Sequence, residues 1–273
     1  MKILVCVKQV PDTTDIKWTE NNTIQREGVE SIINPFDVYA IETALKIKQT
    51  CNDVNITVLT MGPPQAEDML KKAIALGCDN GILITDRKFA GADTFATGKT
   101  IANAIKTNCS DFDLIICGQF AIDGDTAQTG PSIANQLGIP QVTYVKDIEK
   151  CEDNSLILTR EIEEGIEVLK VKFPALICVL KRNEEPSRAR INGIIKAQNT
   201  KISILTLADI GLNPEDVGIK GSPTYVSKAF RPQNKRGECE ICDKCETLYD
   251  KLKDFGVNSS FQELSGGDVE KND

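Results

Sequence analysis

The sequence predicts an α/β fold: a doubly wound, mostly parallel sheet with a β-hairpin extension and a C-terminal arm. Three observations carry this. Over the first 145 residues short apolar runs alternate with segments of helical spacing, the pattern of repeated strand–helix units. The first run, Lys2 to Val7 (KILVCV), is continuously apolar rather than alternating, as suits a strand covered on both faces. Finally, a glycine-rich, hydroxyl-rich turn follows the apolar run Leu114 to Cys117 and opens a helical pattern. That turn reads Gly118-Gln119-Phe120-Ala121-Ile122-Asp123-Gly124-Asp125-Thr126-Ala127-Gln128-Thr129-Gly130-Pro131.

Taken in order, Lys8 to Thr14 is a loop punctuated by Pro11 and Asp12 at the C-terminal end of the first strand. Ligands of doubly wound sheets sit at such ends. Residues 15–33 alternate weakly and read as an excursion, a small hairpin turning at Asn21-Asn22. Asn34-Pro35-Phe36-Asp37 is a helix start: Asn34 can cap, Pro35 suits the first helical position, and Asp37 lies beside the dipole. Val38, Ile41, Ala44, Leu45 and Lys48 then keep helical spacing. Further strands are expected at Asn55 to Met61, Gly81 to Thr85, Asp113 to Cys117 and Gln141 to Val145. The helices between them are expected at Ala66 to Leu76, Thr94 to Thr107 and Ser132 to Leu137. Gly62-Pro63-Pro64 breaks the second strand and Gly77 ends the second helix.

From Ser155 the pattern changes. Leu156 to Ile162 and Ile166 to Val171 flank Glu163-Glu164-Gly165, a hairpin signature. Arg160 and Glu161 read as a surface ion pair. Ala175 to Leu180 is an apolar strand, and Lys181 to Ile191 a charged loop. Periodicity is weak beyond Leu207 until Glu246 to Phe255, where Leu248, Tyr249, Leu252 and Phe255 line one face of an amphipathic helix. Residues 257–273 read as a tail.

Composition narrows the chemistry. A 41% hydrophobic content with 26% charged residues is that of an ordinary soluble chain, and a net charge of −8 argues against nucleic acid or an anionic membrane as partner. No segment approaches the roughly 18 apolar residues of a membrane span. Ile3 to Val7 is too short for a signal peptide, and Lys8 interrupts it. Ten cysteines without an export signal point to a reducing compartment, so the expected location is cytoplasmic. The chain contains no histidine. This removes Ser-His-Asp and Cys-His nucleophiles, His-ligated zinc and histidine acid–base catalysis, and leaves any chemistry to a bound cofactor or a partner chain.

The Gly118 turn is the expected ligand site. A strand feeding a helix through glycines presents free backbone N–H groups at the positive end of the helix dipole, which suits a phosphate. Thr126, Gln128 and Thr129 can add side-chain hydrogen bonds. The plain alternative is a βα connection capped by Asp125 or Thr126. Loops after the first, second and fourth strands converge in this topology, so Lys8 to Thr14, Met61 to Pro64 and the Gly118 turn are placed around one crevice.

These motifs together resemble the β subunit of the electron-transfer flavoproteins. The carrying residues are Val7 to Asp12, Asn34 to Asp37 with Ala40, Glu42 and Ala44, and Met61-Gly62-Pro63. Gln119 to Asp125, Gln128 to Gly130, Thr159 to Glu161 and Pro174-Ala175 extend the match to about Ala197. The resemblance implies a Rossmann-like core holding an adenine nucleotide. Carried over, its contacts are Cys6, Val7, Pro11, Asp12, Thr13, Asn34, Pro35, Phe36, Asp37, Met61, Gly62 and the twelve residues from Gly118 to Thr129. It also implies a partner-recognition loop near Ile177 to Asn199, with Ile191 as apolar anchor for a dehydrogenase. The family's Leu-Asn-Glu-Pro-Arg-Tyr reads Arg182-Asn183-Glu184-Glu185-Pro186-Ser187-Arg188 here, so the identity of that partner does not carry over.

Two kinds of relative differ in the ligand. In one, AMP is structural in this subunit and the single FAD lies on an obligate α subunit. In the other, the electron-bifurcating kind, this subunit holds FAD, takes electrons from NADH, and divides them. One path leads to ferredoxin and the other, through the α-subunit flavin, to an acyl-CoA or 2-hydroxy-acid dehydrogenase. The extended Cys6 to Thr13 and Arg26-Glu27-Gly28-Val29, leading into Ile33-Asn34-Pro35, resemble the bifurcating kind, which is the expectation. A non-catalytic nucleotide-binding module is the reading from another class. The implied organisation is residues 1–190 as nucleotide-binding domain, 191–256 as an arm whose helix packs on the partner subunit, and 257–273 as tail.

Two further motifs compete for a role. Cys239, Cys242 and Cys245 begin a ferredoxin-type cluster motif, C-x2-C-x2-C. The fourth cysteine is missing and Glu238, Glu240 and Asp243 surround the thiols, so a thiol-rich connector is the favoured reading over an iron–sulfur site. Leu264-Ser265-Gly266-Gly267-Asp268 resembles a pyrophosphate loop of ATP-dependent ligases, but it sits in the tail rather than after the first strand.

Overall fold

The structure, a computed structural model, describes residues 1–12, 31–227 and 241–254. Contacts divide the chain into two units, Met1–Ala229 and Phe230–Asp273. In the first unit, parallel strands β1 (Lys2–Cys6), β4 (Asn55–Met61), β5 (Asn80–Ile84), β6 (Leu114–Gly118) and β10 (Ala175–Val179) form the centre of a nine-stranded sheet. With β7 (Gln141–Glu152), β8 (Ser155–Ile162), β9 (Gly165–Lys172) and β11 (Ser203–Leu205), its order is β11-β5-β4-β1-β6-β10-β7-β8-β9. Helices α1 (Pro35–Thr50), α2 (Glu67–Leu76), α3 (Thr94–Asn108) and α4 (Thr129–Leu137) connect the strands.

Apolar residues on both strand faces explain the continuous runs. Ile3 and Val5 of β1 join Ile41, Ala44, Ile47, Leu70 and Ile74 of α1 and α2 in one core cluster. Leu4, between them in sequence, joins Ile101, Ile105 and Ile133 of α3 and α4 in the other. Chain order reverses at β1, which pairs with β4 on one side and β6 on the other. The crevice of a doubly wound sheet opens at such a reversal, here above Cys6 and Gly118.

Several boundaries differ from the sequence expectation, each for a visible reason. Gln9–Pro11, expected as loop, forms a short strand β2 paired antiparallel with β3 (Ser31–Ile33). This pair is the stem of the expected excursion; its turn at Asn21-Asn22 lies outside the described residues. Strand β7 runs from Gln141 to Glu152, well past Val145. A register shift opposite Ile177 and Val179 and a left-handed Tyr144 (φ 57°) mark where it bends into the antiparallel β7-β8-β9 extension. There β8 (Ser155–Ile162) and β9 (Gly165–Lys172) bury Leu156, Leu158 and Val171, while Ile166 and Val168 of the edge strand stay exposed.

The Arg160–Glu161 pair does not form: Arg160 meets Glu167 across the hairpin at 2.6 Å and Glu161 meets Lys146 at 3.0 Å. Adjacent strand residues point to opposite faces, so the cross-strand partner wins. Helix α5 (Ile191–Asn199) packs on α2, with Gly193 against the Ala75 carbonyl, and β11 (Ser203–Leu205) pairs with β5. Residues 191–205 therefore lie in the same unit as the sheet. In the second unit α6 spans Cys245–Asp254 with Leu248, Tyr249 and Leu252 exposed; Phe255 lies outside the described residues. Among the described residues no helix is long and apolar enough to cross a membrane.

Candidate functional site

The crevice is built on Asp37. Its carboxylate, in the first turn of α1, accepts the Lys8 amide at 2.7 Å and the Gly118 amide at 3.2 Å. One buried side chain thus ties together the ends of β1 and β6 and the start of α1. Burial pushes the Asp37 carboxyl up to about 7, against the pull of the Lys8 and Gly118 amides toward the ionised form. Gly118 is required by this arrangement. A Cβ there would lie 2.7 Å from the Phe36 carbonyl carbon, 2.8 Å from the Asp37 nitrogen, and against Asp37 Oδ1.

Asn34 occupies the N-cap of α1 without making a side-chain cap bond. Its amide instead spans to the facing loop, donating to the Phe120 carbonyl at 2.9 Å and accepting the Ile122 amide at 3.1 Å. Its backbone N–H reaches the Lys8 carbonyl at 2.9 Å. The fully buried amide is worth more as a bridge between loops than as a local cap, because both loop groups would otherwise be unpaired. Phe36 and Phe120 add a ring contact between the same two segments, with centroids 4.1 Å apart.

Beyond Phe120 the loop is shaped by backbone conformation. Gln119 is buried, donates its amide to the Val179 carbonyl, and accepts the Tyr144 amide on its side chain at 2.7 Å. Asp125 and Ala127 both have φ of 53°, in the left-handed region. Gln128, the N-cap of α4, is right-handed and makes no side-chain cap bond. Alternating hand turns successive N–H groups to one side, and an uncapped helix start leaves its first amides unpaired by a capping side chain. Both features suit an anion. Of the other helices α3 is capped, with Asp93 accepting the Ala96 amide at 2.9 Å, while α1, α2 and α5 share with α4 the lack of a side-chain cap bond. Gly124 sits in this loop and, among the described residues, only Lys8 Nζ lies near its missing Cβ, at 3.9 Å. The backbone there is open to a close approach.

The structure brings most of the sequence-selected residues together. Cys6 ends β1 half-buried, in register with Cys117 and, through it, Cys178. Val7 and Pro11 are buried, Asp12 is exposed, and Thr13 lies outside the described residues. Met61 ends β4 half-buried beside Gly62, whose amide donates to the Ile84 carbonyl. Asn34, Pro35, Phe36 and Asp37 begin α1 and face the loop running from Gly118 to Thr129. Gly130 serves packing instead, lying against Cys178, Leu176 and Cys117. Ile191 belongs to a different feature: it opens α5 and is 76% exposed.

The charged loop before Ile191 is pinned to α1. Tyr39 donates to the Glu184 carbonyl at 2.9 Å, Arg182 donates to Thr43 at 2.7 Å, and Ser187 donates its amide and hydroxyl to Glu42. A cavity of about 570 Å³ between β3, α2 and α5, lined chiefly by apolar groups such as Ile32, Leu76 and Ile194, adjoins it. Cys239 lies outside the described residues, and no group of three metal-ligating side chains occurs among those described.

The sequence places Lys8 in the first crevice loop but does not announce its ion pair. Lys8 reaches Asp123 Oδ1 at 2.6 Å, joining the first loop to the Gly118 turn. The available signal was the charge that interrupts KILVCV where a buried strand ends.

A family model described as "Electron transfer flavoprotein domain" matches residues 21–210. The chain is similar to an "Electron transfer flavoprotein subunit beta" of Megasphaera elsdenii, 47% identical over 243 residues, covering 87% of this chain and 90% of the relative. It is equally similar to "Caffeyl-CoA reductase-Etf complex subunit CarD" of Acetobacterium woodii, 47% identical over 238 residues with the same coverage of each chain. "Protein FixA" of Azorhizobium caulinodans is 41% identical over 256 residues, covering 90% of each.

Proposed function

We propose that this chain, which belongs to the electron transfer flavoprotein family as a β-type subunit, holds FAD in the crevice around Asp37 and takes part in electron bifurcation. In this reading it pairs with an α subunit, accepts electrons from NADH, and divides them between ferredoxin and a CoA-ester or 2-hydroxy-acid dehydrogenase. The supporting observation is the uncapped start of α4 beside the left-handed Asp125 and Ala127, which offers amides to a diphosphate. Relatives named as a caffeyl-CoA reductase-Etf complex subunit and as "Acryloyl-CoA reductase electron transfer subunit gamma" of Anaerotignum propionicum (43% identical over 263 residues) support a reductase partner.

The bound flavin would supply the electron-accepting chemistry. The chain's own part is placement. Asp37 and Asn34 fix the two walls, Gly118 keeps the wall close to α1, and the amides from Thr126 to Thr129, beyond the two that bond to the Ala121 carbonyl, would neutralise phosphate charge. No side chain is required to act as acid or base. Ile191 and its neighbours on α5 would carry the dehydrogenase contact. The test is ferredoxin reduction by NADH with the purified heterodimer. It should require both the dehydrogenase and its oxidised substrate. NADH oxidation that never reduces ferredoxin under those conditions contradicts the bifurcating reading.

A further inference from the structure

We propose that the Lys8 ammonium is the cation of the phosphate subsite and that Asp123 is its positioning residue. The proposal rests on the nucleotide reading of the crevice and adds to it the group that selects for phosphate.

Lys8 is fixed from both ends. Its backbone N–H donates to Asp37 Oδ2 at 2.7 Å and its carbonyl accepts the Asn34 amide at 2.9 Å. Its side chain then crosses the crevice to Asp123, at 2.6 Å. The ammonium comes to rest over the Gly124 turn, 3.9 Å from where a Cβ would stand. The pair is asymmetric: the Asp123 side chain is 5% exposed and that of Lys8 is 45% exposed. An ammonium carries three donors, and the bond to Asp123 uses one of them.

Charge gives the second argument. The turn that offers amides to an anion also carries two carboxylates, Asp123 and Asp125. Without a cation these would repel a phosphate drawn to the start of α4. Lys8 offsets carboxylate charge in the turn and places an ammonium beside Gly124, while the buried carboxylate keeps the flexible lysine stem over the turn.

The test separates phosphate recognition from a structural role. Nucleotide-depleted full-length chain, wild type and Lys8→Gln, is titrated calorimetrically with ADP, AMP and adenosine. Loss of a charge-assisted hydrogen bond should weaken ADP and AMP roughly 10- to 100-fold while adenosine changes less than about twofold. Lys8→Arg should restore much of the loss. Asp123→Asn, which keeps the cation but frees it, should weaken ADP by less than Lys8→Gln does. Equal weakening of adenosine and ADP would make the pair a structural staple and overturn the assignment. Unchanged ADP affinity in Lys8→Gln would overturn it too. A wild-type chain that binds none of the three probes overturns the nucleotide reading itself, and that outcome is visible before any variant is compared.

Discussion

Replacing Gly118 with alanine tests whether the crevice depends on the close approach of β6 to α1. The new Cβ would stand 2.7 Å from the Phe36 carbonyl carbon and 2.8 Å from the Asp37 nitrogen, as well as against Asp37 Oδ1. Two of those atoms are backbone in the first turn of a helix whose next turns are buried, so they cannot yield locally. Overpacking of this kind costs about 1–3 kcal/mol. Displacing Asp37 also breaks the Gly118 N–H bond at 3.2 Å and strains the Lys8 bond at 2.7 Å, adding about 1–3 kcal/mol for buried groups left short of partners. The combined loss of about 2–6 kcal/mol should lower the melting temperature by roughly 4–24 °C for a domain of this size. Gly138→Ala is the control. Gly138 is left-handed (φ 71°) with nothing among the described residues within 4 Å of a Cβ, so alanine there costs only the backbone term, about 1–2 kcal/mol. Thermal unfolding and bound-nucleotide content are measured on both variants. Gly118→Ala should lose stability and nucleotide together, and Gly138→Ala should keep its nucleotide. Equal melting shifts with equal nucleotide content in the two variants would refute the reasoning.

Asp37 gives a pH dependence. Its carboxyl lies at about 7 in the folded chain against an ordinary 3.8, so between those values the folded chain holds a proton that the unfolded chain has released. Relative to Asp37→Asn, wild-type stability should therefore be greatest below pH 3.8, fall by about 4 kcal/mol as pH rises to 7, and stay level above. Denaturant midpoints of both proteins across pH 4–8 check this; a constant gap between them contradicts it. Asn34→Ala removes both bonds to the facing loop and should cost about 2–4 kcal/mol with loss of nucleotide, read by unfolding and cofactor extraction. Arg160→Ala breaks a partly exposed pair and should change stability by less than about 1 kcal/mol in the same assay. Cys242→Ser should leave the iron content of the purified protein unchanged; a fall in iron would restore the cluster reading for the Cys239, Cys242 and Cys245 group.

The parallel sheet was legible because its strands are buried on both faces and so appear as unbroken apolar runs. Lys2 to Val7 and Ala175 to Leu180 could hardly be anything else. The second half of β7 was not legible. Lys146, Glu149 and Lys150 are exposed and Asp147 is half-buried, so charges break up the apolar pattern, and the bend at Tyr144 has no glycine to announce it. In the crevice, the residue types were readable but their uses were not. Asn34 carries a capping signature yet spends its amide on Phe120 and Ile122, a choice made by burial against a loop 86 positions away in sequence. Asp37 reads as a helix-dipole residue and acts as the clamp between two strands. The left-handed positions fall on Asp125 and Ala127, where tertiary contacts rather than glycine impose the conformation, and Gly124 between the wall residues is instead the open point.

The account turns on what the Asp37 crevice holds. Cofactor extraction from the intact heterodimer, with flavin and adenine nucleotides quantified against protein, addresses it directly. Two FAD per heterodimer and no AMP is the predicted result. One FAD with one AMP would contradict it and leave this chain the carrier of a structural nucleotide.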